Sequence, residues 1–289
     1  MLSPVPSVPI DLSLFEQLLV VGTAFVMKPF YMLLTLRYLL LLRRVEAPEL
    51  RMAWWGLAWF FLGETCCGLN YLFRGTEYSW IQMSHDIGMV VTFALLARAG
   101  VQAVDLRILN YSAEVRRCAL LSVCRECKKY RSTCCMLDSS RSWIIGLLLL
   151  GMVLPLTIPL QPVRFETVIF GDPTILEHGL AQQILEIRVL PLVSILLLAF
   201  AFYVNRSRPQ AGSLVILLIC LALGPGGFAA MRTVIVFPFL KAIVWMGFWE
   251  EASETAMVFV IGTWMQSWNR RLGHPSENTR DGSASGRAR

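Results

Sequence analysis

The chain has 289 residues, of which 56% are hydrophobic and only 16% charged, against roughly 25% charged in a typical soluble domain. That composition excludes an ordinary soluble enzyme or a disordered chain and predicts an all-α integral membrane bundle. The net charge of +6 gathers in particular loops, so it points to anionic lipid at the membrane surface rather than to nucleic acid.

The N-terminal stretch "MLSPVPSVPIDLSLFEQ" has no basic n-region and no small-residue cleavage site, so the first apolar stretch is expected to direct insertion itself. Seven apolar stretches follow, at approximately 15–41, 52–73, 79–99, 143–161, 188–205, 212–232 and 242–267. Each approaches the ~20 residues that cross a hydrocarbon core as a helix. Three groups result: helices one to three within 1–99, a basic cysteine-rich loop over 100–142, and helices four to seven within 143–268. A disordered tail is expected over 269–289, which is small and polar.

Charge orients the bundle. Arg43, Arg44 and Arg51 lie between stretches one and two, and Arg206 and Arg208 between five and six. Arg116, Arg117, Arg125, Lys128, Lys129 and Arg131 fill the long loop, and Arg270 and Arg271 follow the last stretch. With seven spans these fall on one side, which the positive-inside rule makes cytoplasmic. The N-terminus is then outside and the C-terminus inside, in a plasma or inner membrane. On the outer side, Asp172 and Pro173 read as the N-cap and first position of an amphipathic segment near 172–187, with Ile175, Leu176, Leu180, Ile184 and Leu185 as its apolar stripe.

Ionisable residues inside apolar stretches are costly and therefore mark candidate sites. Stretch one holds Lys28, stretch two holds Glu64, and stretch three holds His85 and Asp86. "WEEASETAM" in stretch seven holds Glu250, Glu251 and Glu254. Counting the helical rise puts Glu64 roughly 18 Å from the inner face and His85 ~10 Å from the outer one, so the groups converge in depth. Glu250 and Glu254, four apart, share a helix face, with Glu251 about 100° away. Three carboxylates on one arc point into the bundle and need a cation: Lys28, Arg188, Arg232, Lys241 or a metal ion.

Carboxylates with one histidine suit zinc, iron or manganese, and Glu64, His85, Glu250 and Glu254 form such a set. The same residues also suit a proton or ion relay, or a structural hydrogen-bonded cluster. Haem is disfavoured, because only His85 lies in an apolar stretch and two such histidines are needed.

In "CALLSVCRECKKYRSTCCMLD" the candidate ligands are Cys118, Cys124, Cys127, Cys134 and Cys135. Cys124 and Cys127 have the C-x-x-C spacing that lets two thiolates hold one ion, and the loop is expected to bind zinc. An iron–sulfur cluster is the alternative on the same thiols. Cys66, Cys67 and Cys220 read as small packing residues. "LGPGGFAAM" around Pro225 reads as a kink or close packing, or else as a broken helix lining a cavity. Three functions fit: a metal-dependent membrane enzyme or redox subunit, a proton-coupled transporter or seven-helix sensor, and a scaffold subunit of a membrane complex.

Overall fold

The computed structural model of the chain describes residues 6–72, 80–104, 136–208 and 211–273. The five loop cysteines and the segment 274–289 of the tail lie outside the described residues. Over the described residues the protein is mostly helical, with one small sheet.

Helix α1 runs Leu14–Leu41. A capping box starts it: the Glu16 amide donates to the Ser13 hydroxyl, and the Ser13 amide donates to the Glu16 carboxylate at 2.9 Å. Helix α2, Pro48–Leu72, opens on a proline whose missing N–H costs nothing in a first turn. Helix α3 is Trp80–Ala103. Helix α4, Met136–Gly151, is followed by the short α5, Val153–Thr157. Helix α6 is Leu180–Ser207. Helix α7 starts at Gly212 and continues through Met231 to a last 3-10 turn at Phe237–Phe239. Helix α8 is Ile243–Gly273.

The seven expected stretches thus fall on helices, with α4 and α5 sharing the fourth. Four of these, α1, α3, α6 and α7, are long and apolar enough to cross a membrane. Helices α2 and α8, at 25 and 31 residues, are long enough but carry too much polar character, and the apolar run Arg141–Thr157 is short.

The segment near 172–187 corrects the expectation of an amphipathic helix. Asp172–His178 is a strand, β3, paired antiparallel to β2 (Val163–Ile169) from Ile169↔Asp172 to Val163↔His178. A two-residue strand β1, Val8–Pro9, lies parallel to β2. Phe170 and Gly171 make the turn with φ of 50° and 95°, the doubly positive pattern of a type I′ hairpin. Asp172 and Pro173 therefore leave a turn instead of starting a helix, and the helix begins only at Leu180. The fold is accordingly mostly helical with a small sheet rather than purely α.

Packing is closest between α2 and α3. Gly63 and Gly88 face one another there, and a Cβ on Gly88 would come within 2.8 Å of the Gly63 Cα. This contact sets Glu64 beside His85. Helix α7 runs unbroken through Pro225, so the glycines beside it serve close packing, not a break. Gly224 admits the Val90 carbonyl, Gly226 the Ser194 hydroxyl and Gly227 the Phe93 ring. Ser194 also donates to the Ala222 carbonyl at 2.9 Å, tying α6 to α7.

One apolar core, around Tyr31, Leu57, Phe60, Met89 and Val258, joins α1, α2, α3 and α8. A second, around Ile145, Leu198, Val215 and Ile219, joins α4, α6 and α7. A third, with Val236, Leu240, Ile243 and Met246, seats the sheet on the ends of α7 and α8.

Gly88→Leu is expected to lower stability by about 1–3 kcal/mol, the usual cost of overpacking, in thermal unfolding of detergent-solubilised protein. Gly68→Ala, with nothing within 4 Å of its added Cβ, should change stability by less than about 0.5 kcal/mol in the same assay.

Candidate functional site

Three helices contain a π turn, which holds one more residue than an α turn: Thr23–Met27 in α1, Leu185–Val189 in α6 and Arg232–Val236 in α7. Such turns are rare and cluster at functional sites. Each one here adjoins a buried charge. Lys28 follows the first, Glu186 lies in the second and Arg232 opens the third.

The first half of the polar centre surrounds Lys28. Its ammonium lies 2.6 Å from Glu64 Oε2 and 2.9 Å from Glu251 Oε1, and 3.4 Å from Cys67 Sγ. Three helices, α1, α2 and α8, meet at this one cation. The Tyr31 hydroxyl, one turn further along α1, lies 2.6 Å from Glu64 Oε2, 2.5 Å from Glu251 Oε2 and 3.0 Å from Glu254 Oε2. His85 Nδ1 faces Glu64 Oε1 at 3.1 Å, without the alignment of a hydrogen bond.

The second half surrounds Arg232. Its Nε lies 2.9 Å from Glu186 Oε1, and a guanidinium nitrogen pairs with Glu250. The Phe228 ring covers the guanidinium at 5.1 Å. Glu186 also accepts from the Gln182 amide at 3.0 Å and meets His178 Nε2 at 3.1 Å. Asp86 and Glu254 lie within Coulombic range of Arg232, so the halves touch through Glu250, Glu254 and His85. One polar chain thus runs from His178 at the base of the hairpin to Lys28.

Counting charge constrains what this chain can hold. Glu64, Asp86, Glu186, Glu250, Glu251 and Glu254 are six carboxyl groups, while Lys28 and Arg232 are the fixed cations. Protonating both His85 and His178 would still leave positive charge short by two. The Tyr31 geometry says the same by another route. A phenol donates one hydrogen and accepts two, so at most one of its three carboxyl contacts uses its own proton. The other two need protons on the carboxyl side.

Metal-ligand geometry overlaps this network. Single donor atoms of Glu64, Cys67 and His85 lie within 4.8 Å of one another, as do those of His85, Glu250 and Glu254, and those of Glu64, Glu251 and Glu254.

All six sequence candidates in the bundle, Glu64, His85, Asp86, Glu250, Glu251 and Glu254, therefore meet in one interior network. Of the proposed cations, Lys28 and Arg232 serve it. Arg188 instead donates to the carbonyls of Pro155 and Ile158, at 3.1 and 2.5 Å, and Lys241 is exposed. Cys67, read as a packing residue, reaches the Lys28 ammonium. Sequence reasoning missed Tyr31, His178 and Glu186. Tyr31 had a signal: Lys28, Tyr31, Thr35 and Tyr38 recur at helical spacing in stretch one, and all four are buried. His178 and Glu186 had none, because both were assigned to an outer surface segment.

Comparison with protein-family models, curated proteins and solved structures returns no match.

Arg232→Met should destabilise the protein by about 3–5 kcal/mol, the cost of leaving buried charges without their partner, in thermal unfolding. Adding Glu186→Gln to that variant should recover part of the loss. A merely additive further loss would show that the two residues are not coupled.

Proposed function

We propose that the chain is a multi-pass membrane protein with seven spans, outer N-terminus and cytoplasmic C-terminus, whose interior polar centre stores and exchanges protons. Proton-coupled transport or sensing is the function this supports. The observation that carries it is the Tyr31 hydroxyl touching three carboxyl groups, which requires protons held in common by Glu64, Glu251 and Glu254. Groups that share protons within ~3 Å can pass them on with little movement. Lys28 and Arg232 keep the remaining carboxylates charged without a bound ion, and His85 connects the two halves.

A second reading, a metal-dependent membrane enzyme or redox subunit, is favoured by the three overlapping ligand groups. A divalent ion such as zinc would take Glu64, His85, Glu250 and Glu254 and replace the shared protons. The cytoplasmic loop cysteines would then form a separate zinc site, with an iron–sulfur cluster as the alternative there. The scaffold reading rests on no particular observation.

Infrared difference spectra of the purified protein during acid–base titration should show carboxylic-acid carbonyl bands from the centre, reduced by Glu254→Gln and by Glu251→Gln. Spectra without such bands would overturn the proton reading. Elemental analysis separates the two: metal that survives Cys124→Ser with Cys127→Ser but is lost in His85→Ala with Glu254→Gln would favour the enzyme. A reporter fused after position 271 should be active only on the cytoplasmic side, and activity on the other side would reverse the orientation.

A further inference from the structure

We propose that a cavity between α1 and α2 binds the phosphate headgroup of an anionic membrane lipid. It lies at the far end of α1 from the capping box, encloses about 230 Å³ and is lined by Leu42, Arg43, Val45, Arg51, Trp54 and Trp55. Arg43 stands just after the end of α1, and Arg51 in the first turn of α2, where the helix dipole adds to the positive field. Neither guanidinium pairs with a carboxylate among the described residues. The acids of the same segment, exposed Glu46 and buried Glu49, do not line the cavity.

Two guanidiniums facing one space without an acidic partner match the oxygens of a phosphate, which arginine binds with paired hydrogen bonds. The walls are rigid. Trp54 donates its indole N–H to the Leu39 carbonyl at 2.9 Å, and Trp55 sits edge-on to it at 5.0 Å between ring centroids.

What continues from the cavity distinguishes a lipid from a free phosphate. Leu40 and Leu41 of α1 and Trp59 of α2 are exposed on the adjoining surface. A soluble anion makes no use of them, whereas acyl chains would cover them. Tryptophan and arginine side by side also suit the level of the headgroups. This site is separate from the proton-holding centre and depends only on the bundle lying in a membrane with its basic side at the surface.

The test uses the full-length protein in detergent, titrated with phosphatidylglycerol or phosphatidylcholine and read by native mass spectrometry. Phosphatidylglycerol should bind in preference. Arg43→Ala with Arg51→Ala should weaken it about 30-fold, the ratio for ~1 kcal/mol at each of two basic residues, and Arg43→Lys with Arg51→Lys should restore most of the binding. Arg206→Ala with Arg208→Ala removes equal charge elsewhere and should have little effect. An equal loss from that pair would overturn the site in favour of general charge attraction. Displacement of the lipid by excess inorganic phosphate would overturn the lipid assignment. A chain that does not live in a membrane would bind neither lipid, an outcome distinct from both.

Discussion

Six carboxyl groups in the interior of one bundle must be matched by positive charge or by protons, because an unpaired buried charge costs more than the packing around it can return. The arrangement of the helices follows from that constraint. Lys28 draws α2 and α8 to α1, and Arg232 draws α6 and α8 to α7. Helix α8 is common to both. Its neighbouring residues Glu250 and Glu251, about 100° apart around the helix, serve different cations, and Glu254 lies between the two groups. The last helix therefore holds the halves of the molecule together by charge as well as by apolar contact.

The hairpin belongs to the same system. It is seated by the apolar cluster at the ends of α7 and α8 and by the Gln17 side chain, which accepts from the Phe170 amide at 3.0 Å. His178, its last residue, carries the polar chain from this sheet into the helices. Gln183 accepts from the Gln161 amide and donates to the Gln161 and His178 carbonyls, which holds that end in place. An element that sequence places on the surface is thus the outer terminus of the interior network.

Helix positions were legible because apolar runs of this length have few other solutions, and depth counting along them brought Glu64, His85 and the Glu250 cluster together correctly. What escaped was whatever depended on local turn chemistry. The pair Phe170 and Gly171 turned an apparent helix start into a hairpin, since the alternation of "VRFETVI" is a period-two signal that the capping signs at Asp172 and Pro173 obscured. With that segment misassigned, His178 and Glu186 were placed outside. Arg188 and Arg232 looked equivalent in sequence, yet only side-chain direction separates a residue that caps carbonyls from one that anchors two helices. The cytoplasmic thiols rest on spacing alone.

The three π turns have a consequence in heredity. A π turn is an α turn with one residue too many, and deleting one codon would restore the α turn and rotate the rest of that helix by about 100°. Lys28, Glu186 and Arg232 each owe their inward direction to such an extra residue. The hydroxyls of Thr23 and Thr233 are left without hydrogen bonds in these turns, whereas Thr35, Thr65, Thr92 and Thr255 bond back to the preceding turn. A lineage could therefore gain or lose this interior chemistry one codon at a time, with the number of helices unchanged. Among any descendants of this chain, a gap of a single position at one of these three places would mark where the chemistry had changed while the architecture had not.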